Sequence, residues 1–182
     1  EEGKTCTVEK FAGFYSSRET KREKCLEKTI NSVEKAAGRG YRNLKEDHIK
    51  KWDEFWQVSD IEIMGDTSLQ QAIRFSIFHL MQAAGKDGKT NISANGLTGE
   101  GYQGHTFWDT EMYMFPVFLY SHPEIAKNLL MYRYNILDKA RERAEQMDDC
   151  GALYSWNSIT GEECGFVFEA ATAQYHINCD IC

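Results

Sequence analysis

Trp108 and Asp109 stand side by side at the end of a run that could do chemistry. From Asn95 to Glu111 the chain holds four glycines, His105, one tryptophan and three acidic side chains. Glycine lets a backbone take positive φ and approach a ligand closely, while an indole beside a carboxylate offers a flat apolar face next to a hydrogen-bond acceptor. Those two surfaces match the face and the hydroxyls of a sugar ring. An ordinary glycine-rich surface loop explains the same composition equally well. Asp109 falls where a helical pattern begins, and the helix dipole favours a carboxylate there. An ionised acceptor suits hydroxyl recognition better than acid catalysis.

A second aromatic and polar loop, Cys150-Gly151-Ala152-Leu153-Tyr154-Ser155-Trp156-Asn157-Ser158, lies further on. The last residues hold a C-x-x-C, Cys179 to Cys182, a spacing that can bind zinc or cycle electrons. Only His176 lies near it and no second pair exists, so neither use is adopted. The six cysteines are scattered through long helical patterns and read as free thiols in a reducing compartment.

The elements that must position these loops are mostly helical. Residues from Thr5 to Ser17 alternate loosely and suggest one strand without a neighbour to pair with. Leu26, Ile30, Val33 and Ala37 recur at helical spacing and stop at Gly38 and Gly40. Asn43 and Glu46 suggest a capping box for a second helix carrying Trp52, Phe55 and Trp56, followed by a short edge strand over Ser59–Ile63. Thr67 and Gln70 suggest another box, opening a helix whose stripe from Leu69 to Ala84 is wide enough for burial on more than one side. Met112 to Tyr120 is apolar, with Pro116 expected to kink or end it. Ser121-His122-Pro123-Glu124 reads as a further box before a long helix through Leu129, Ile136 and Ala144. The charges on its outer face, Lys139 to Glu145, read as solvated. A last helix is expected over Phe166–Ile177. Helices with loops between alternate pairs point to a mainly α fold, a toroid or solenoid more than a four-helix bundle, and the absence of a fixed-period repeat weakens the solenoid.

Composition narrows the class. A net charge of −7 over 182 residues gives no basic surface for nucleic acid or anionic lipid. No apolar run approaches the roughly 20 residues of a membrane span. A first residue other than Met, without a signal peptide, is expected of a chain cut from something longer, and the reading is cytoplasmic.

The run Gly96-Leu97-Thr98-Gly99-Glu100-Gly101-Tyr102-Gln103-Gly104-His105-Thr106-Phe107-Trp108-Asp109-Thr110-Glu111 resembles the central catalytic domain of glycoside hydrolase family 65. That family comprises phosphorylases of α-linked glucose disaccharides and some hydrolases. Pro123-Glu124-Ile125-Ala126, Leu129 to Tyr134, Ala140-Arg141, Gly151 to Tyr154, Trp156, Gly161-Glu162-Glu163 and His176-Ile177-Asn178 continue the likeness. Upstream, Trp52, Trp56, Asp60-Ile61 and Gly65-Asp66 agree too.

The resemblance implies a β-sandwich, a helical linker and an (α/α)6 barrel. Residues 1–17 would be the last strand of the sandwich, 18–66 the linker and 67–182 the first part of the barrel. It implies that Trp108 and Asp109 contact the sugar where the bond is broken and that Trp156 lines the same pocket; His105 and Asn157 join them as candidates. Family members often carry Tyr-Pro-Trp-Glu-Ser where this chain has Tyr154-Ser155-Trp156-Asn157-Ser158, so a carboxylate gives way to Asn157. The implied reaction is inverting phosphorolysis to β-glucose 1-phosphate, with inorganic phosphate as co-substrate and no cofactor. The family's acid is a glutamate lying beyond these residues, and so are its phosphate loops. Glu100, Glu111, Glu162 and Glu163 do not match it and read as orienting or loop-building groups. On this reading the chain is inactive by itself and packs against another copy or the remainder of its catalytic domain. A hydrolase of the same family and a non-catalytic carbohydrate-binding module are the alternatives.

Overall fold

The computed structural model describes residues 3–165 and 172–182. Six helices dominate the described residues: α1 (Cys25–Ser59), α2 (Thr67–Ala83), α3 (Phe115–Ser121), α4 (Pro123–Asn135), α5 (Leu137–Gln146) and α6 (His176–Ile181). Two short strands, β1 (Thr106–Phe107) and β2 (Asn157–Ser158), pair antiparallel. The chain divides into two compact units, Glu1–Val58 and Ser59–Cys182.

In the first unit, the strand expected over Thr5–Ser17 does not form. Residues 4–16 have no regular structure among the described residues, since a strand needs a neighbour to take its N–H and C=O groups. The break between the early helices falls at Gly40, whose φ of 74° and ψ of 157° lie outside helical space within α1. Asn43 does not open a new helix through a capping box. Its Nδ2 instead donates to the Arg39 carbonyl at 2.6 Å, bridging the break. Beyond it, Trp52 packs edge-on against Phe55 at 5.4 Å and stacks on Trp56 at 6.2 Å.

In the second unit, the edge strand expected over Ser59–Ile63 is absent: Ser59 ends α1 and residues 60–63 are irregular. That segment is tied to α2 by side chains. Gln70 accepts from Ile63 N at 2.7 Å and donates to the Ile61 carbonyl at 2.8 Å, while Arg74 forks onto the Asp60 carboxylate. The cap of α2 is therefore Asp66, whose Oδ1 accepts from Leu69 N at 2.9 Å, and not the expected Thr67–Gln70 box. Nor is α2 buried on several sides. Ile77 is buried, but Leu69 is 51% and Phe75 63% exposed, because the apolar stripe is wider than the core beneath it.

Pro116 starts a helix instead of ending one. Residues Thr110–Met114 form a π-turn closed by Phe115 N–H to the Thr110 carbonyl, and Pro116 follows in the first turn of α3, where a missing N–H costs little. Ser121 is the last residue of α3 and hydrogen-bonds back to Val117, so the box expected at residues 121–124 does not form, although Pro123 does open α4. The long helix expected through Ala144 is interrupted at Ile136, with φ −98° and ψ 8°. Of the last expected helix, residues 166–171 lie outside the described set, and α6 occupies His176–Ile181.

Two apolar clusters hold this unit. Ile92, Phe118, Ile125 and Leu129 centre the first, with Met114 against them. Tyr132, Ile136, Ala140, Tyr154, Ile177 and Ile181 make the second, and Trp108 and Trp156 rest on it.

Candidate functional site

The β1–β2 ladder pairs Thr106 with Ser158 and Phe107 with Asn157, and Thr106 Oγ1 donates to the Ser158 carbonyl at 3.0 Å. The ladder brings the two aromatic loops, far apart in sequence, into one place. Between them lies a cavity of about 420 Å³ lined by Ile92, Ala94, Tyr102, Phe107, Trp108, Asp109, Thr110, Met114 and Trp156. Its rings are mutually braced. Phe107 meets Trp156 edge-on at 5.9 Å and Tyr102 at 5.2 Å, while Trp108 lies 5.0 Å from His176 and 6.1 Å from Tyr113. Imidazole His176 is itself held by Asp180 at 2.6 Å and Gln174 at 2.9 Å.

Three expected site residues, Trp108, Asp109 and Trp156, therefore line one cavity. The other two do not. His105 serves through its backbone, its N–H to the Tyr102 carbonyl and its carbonyl to Ala94 N. Asn157 is buried in β2, and its Oδ1 has no partner among the described residues; nor does Ser155 Oγ. Asp109 is exposed and stands before the π-turn without capping it. It lines the cavity while remaining accessible to solvent.

The glycine-rich loop is built for a close turn. A Cβ at Gly99 would sit 2.3 Å from the Asn95 carbonyl oxygen, which accepts the Gly99 N–H at 3.2 Å. Tyr102 and Gln103 follow with φ of 47° and 50°, a left-handed pair that side chains rarely adopt. That pair turns the Tyr102 ring onto Phe107 at the cavity edge.

Three of the four candidate carboxylates have structural partners; of Glu100, the backbone carbonyl accepts from Asn95. Glu111 makes a forked ion pair with Arg133 at 2.9 and 2.6 Å and also accepts from Asn91 at 3.2 Å. Glu163 accepts from Trp156 N and Gly165 N, each at 2.7 Å, and so fixes the second loop. Glu162 pairs with Thr160 and Lys139, which hold its carboxyl below the usual range. Sequence reasoning missed Arg133 as a site-building residue. Its signal was present: Leu129, Arg133 and Ile136 share one helical stripe, so a cation there is buried and must be paired. All six cysteines carry free thiols. Among the described residues no cluster of His, Cys, Asp and Glu is placed to hold a metal, and no helix is long and apolar enough to cross a membrane.

The described residues form a mainly helical domain with an aromatic cavity, and comparison with known proteins makes its class specific. The model described as the glycosyl hydrolase family 65 central catalytic domain matches residues 74–182, and that of the family's N-terminal domain matches residues 1–55. The chain belongs to glycosyl hydrolase family 65. It is 49% identical to an α,α-trehalose phosphorylase of Thermoanaerobacter brockii over the whole of this chain and 23% of that protein. To the α,α-trehalose phosphorylase of Geobacillus stearothermophilus it is 58% identical, over 78% of this chain and 19% of that one. The solved structure of a candidate kojibiose phosphorylase from the human microbiome superposes with a TM-score of 0.82 at 36% identity, over 87% of this chain and 21% of that one. The chain thus spans about a fifth of the length of the relatives it matches.

Proposed function

We propose that this chain supplies the sugar-holding part of an inverting α-glucoside phosphorylase. The parent reaction converts an α-linked glucose disaccharide and inorganic phosphate to β-glucose 1-phosphate and a free sugar. The observation that carries the reading is the convergence of Trp108, Trp156 and the exposed Asp109 carboxylate on one cavity. The indoles would cover the apolar face of a glucose ring, and Asp109 would accept from its hydroxyls. Inverting phosphorolysis further needs an acid to protonate the leaving oxygen and a cationic seat for phosphate on the opposite face. No lysine or arginine is among the described residues lining the cavity, and Glu111 and Glu163 are committed to Arg133 and to backbone amides. Both functions are therefore assigned to other parts of the protein, with residues 67–182 forming the first part of an (α/α)6 barrel, 18–66 a linker and 1–17 the edge of a sandwich domain. Apolar side chains left exposed, such as Phe75 and Tyr120, would pack against those parts or another copy.

Calorimetry with glucose and trehalose tests the reading. We expect saturable binding by this chain, weakened about tenfold or more by Trp108→Ala, the usual scale for removing a central aromatic anchor. Absence of binding, or an unaffected Trp108→Ala variant, would overturn it. Phosphate-dependent cleavage of a disaccharide by the chain alone would place the acid within these residues and refute the division of labour. Hydrolysis without phosphate by the longer protein would favour a hydrolase of the same family.

A further inference from the structure

One residue is tied to both of the aromatic loops that form the cavity. Arg133, in the last turn of α4, is 3% exposed, and its guanidinium makes three hydrogen bonds. Two go to the Glu111 carboxylate; the third runs from a terminal nitrogen to the Phe107 carbonyl at 3.0 Å, immediately before Trp108. Its own main-chain carbonyl accepts the Tyr154 hydroxyl at 3.1 Å, two residues before Trp156. The guanidinium also lies 5.7 and 5.9 Å from the Tyr132 and Tyr154 ring centres. A buried ion pair gives little net stability over apolar groups of the same shape, so stability alone does not account for it. What a fork of fixed geometry does give is orientation, which a lysine at the same place cannot supply.

We propose that Arg133, with Glu111 as its fixed counter-ion, is a positioning residue that sets the separation of Trp108 and Trp156. That this separation fits a sugar ring rests on the function proposed above; the positioning itself does not. Asn91 donates to the same Glu111 oxygen that takes Arg133 Nε, so the pair is anchored to the irregular segment before the glycine-rich loop as well. Arg133 thus registers the first loop through its side chain and the second through its backbone.

The test uses the whole chain, labelled at its indole nitrogens, with the Trp108 and Trp156 signals assigned by replacing each with Phe. Arg133→Lys keeps the charge and loses the fork; Tyr154→Phe keeps the ion pair and cuts only the tie to the second loop. With helix content unchanged, Arg133→Lys is expected to move the Trp108 indole signal, because the fork onto Glu111 and the contact with the Phe107 carbonyl are lost, while the Tyr154 tie to the residue 133 carbonyl is kept; glucose binding is expected to weaken as the two indoles fall out of register. Tyr154→Phe is expected to move Trp156 and leave Trp108 in place. An unmoved Trp108 signal in a folded Arg133→Lys variant overturns the proposal. If Arg133→Lys loses its helix content, Glu111→Gln decides, because it removes the counter-ion and keeps the backbone tie to Tyr154: movement of the Trp108 signal supports the positioning role, and an unmoved Trp108 signal refutes it. Should the unaltered chain bind no sugar, the functional reading fails while the indole comparison still decides the positioning.

Discussion

His122 shows how a single side chain carries a pH dependence. Its Nε2 shares a hydrogen bond with Ser59 Oγ at 2.6 Å, and burial, followed by the charge of Lys86, lowers its pKa from the ordinary 6.5. Above about 6.5 the imidazole is neutral in both folded and unfolded chains, so its contribution is complete. As pH falls below that value the unfolded chain takes up the proton first, and stability drops until the folded imidazole titrates too. The thermal midpoint is therefore expected to fall between about pH 6.5 and 5, above the range where unfolded carboxylates protonate, near 4. His122→Gln should flatten that slope. An equal slope in the variant would show that another group carries it. Carboxylates held low by partners, such as Asp60 beside Arg74, act at lower pH, since their contribution is lost as pH falls through their depressed range.

At the scale of elements, Gly161 governs how the second loop sits on the α4–α5 junction. Its φ is 109°, and a Cβ there would lie 3.0 Å from both the Ile136 and Lys139 Cβ atoms. Gly161→Ala should cost about 3 kcal/mol, from left-handed backbone strain and overpacking together. Chemical denaturation measures it; a change under about 0.5 kcal/mol, the scale of a surface substitution, would mean the loop relocates freely. The helices themselves were legible, because apolar residues at spacings such as Ile125, Leu129 and Tyr132 can meet only on a helix. Their caps were less so. Asp66 and Thr67 both satisfy the chemistry of a cap, and backbone geometry alone chooses between them. The β1–β2 ladder left no periodic trace, since two residues per strand carry no alternation. Arg133 and Glu111 are 22 positions apart, so nothing local pairs them.

At the scale of the whole molecule, the unburied apolar side chains decide the behaviour in solution. Phe14, Met64, Tyr120 and Val8 are each more than four-fifths exposed, and Phe75 and Tyr113 about two-thirds. Self-association is expected, rising with concentration in sedimentation velocity, and a monodisperse monomer at high concentration would contradict it. The site was legible in part for a related reason: Trp108 and Asp109 are adjacent in sequence, whereas the partnership of Trp108 with Trp156 exists only in the folded unit. Thr106 and Ser158 meet across 52 positions. Closing so long a loop costs entropy that no two-residue ladder recovers by itself, so assembly of the cavity depends on the packing of α4 and α5, which lie between its two loops in sequence. Occupancy is then coupled to folding: a ligand at a hundred times its Kd would protect slow amide exchange throughout residues 92–158 by about 2.7 kcal/mol, and not merely quieten a loop.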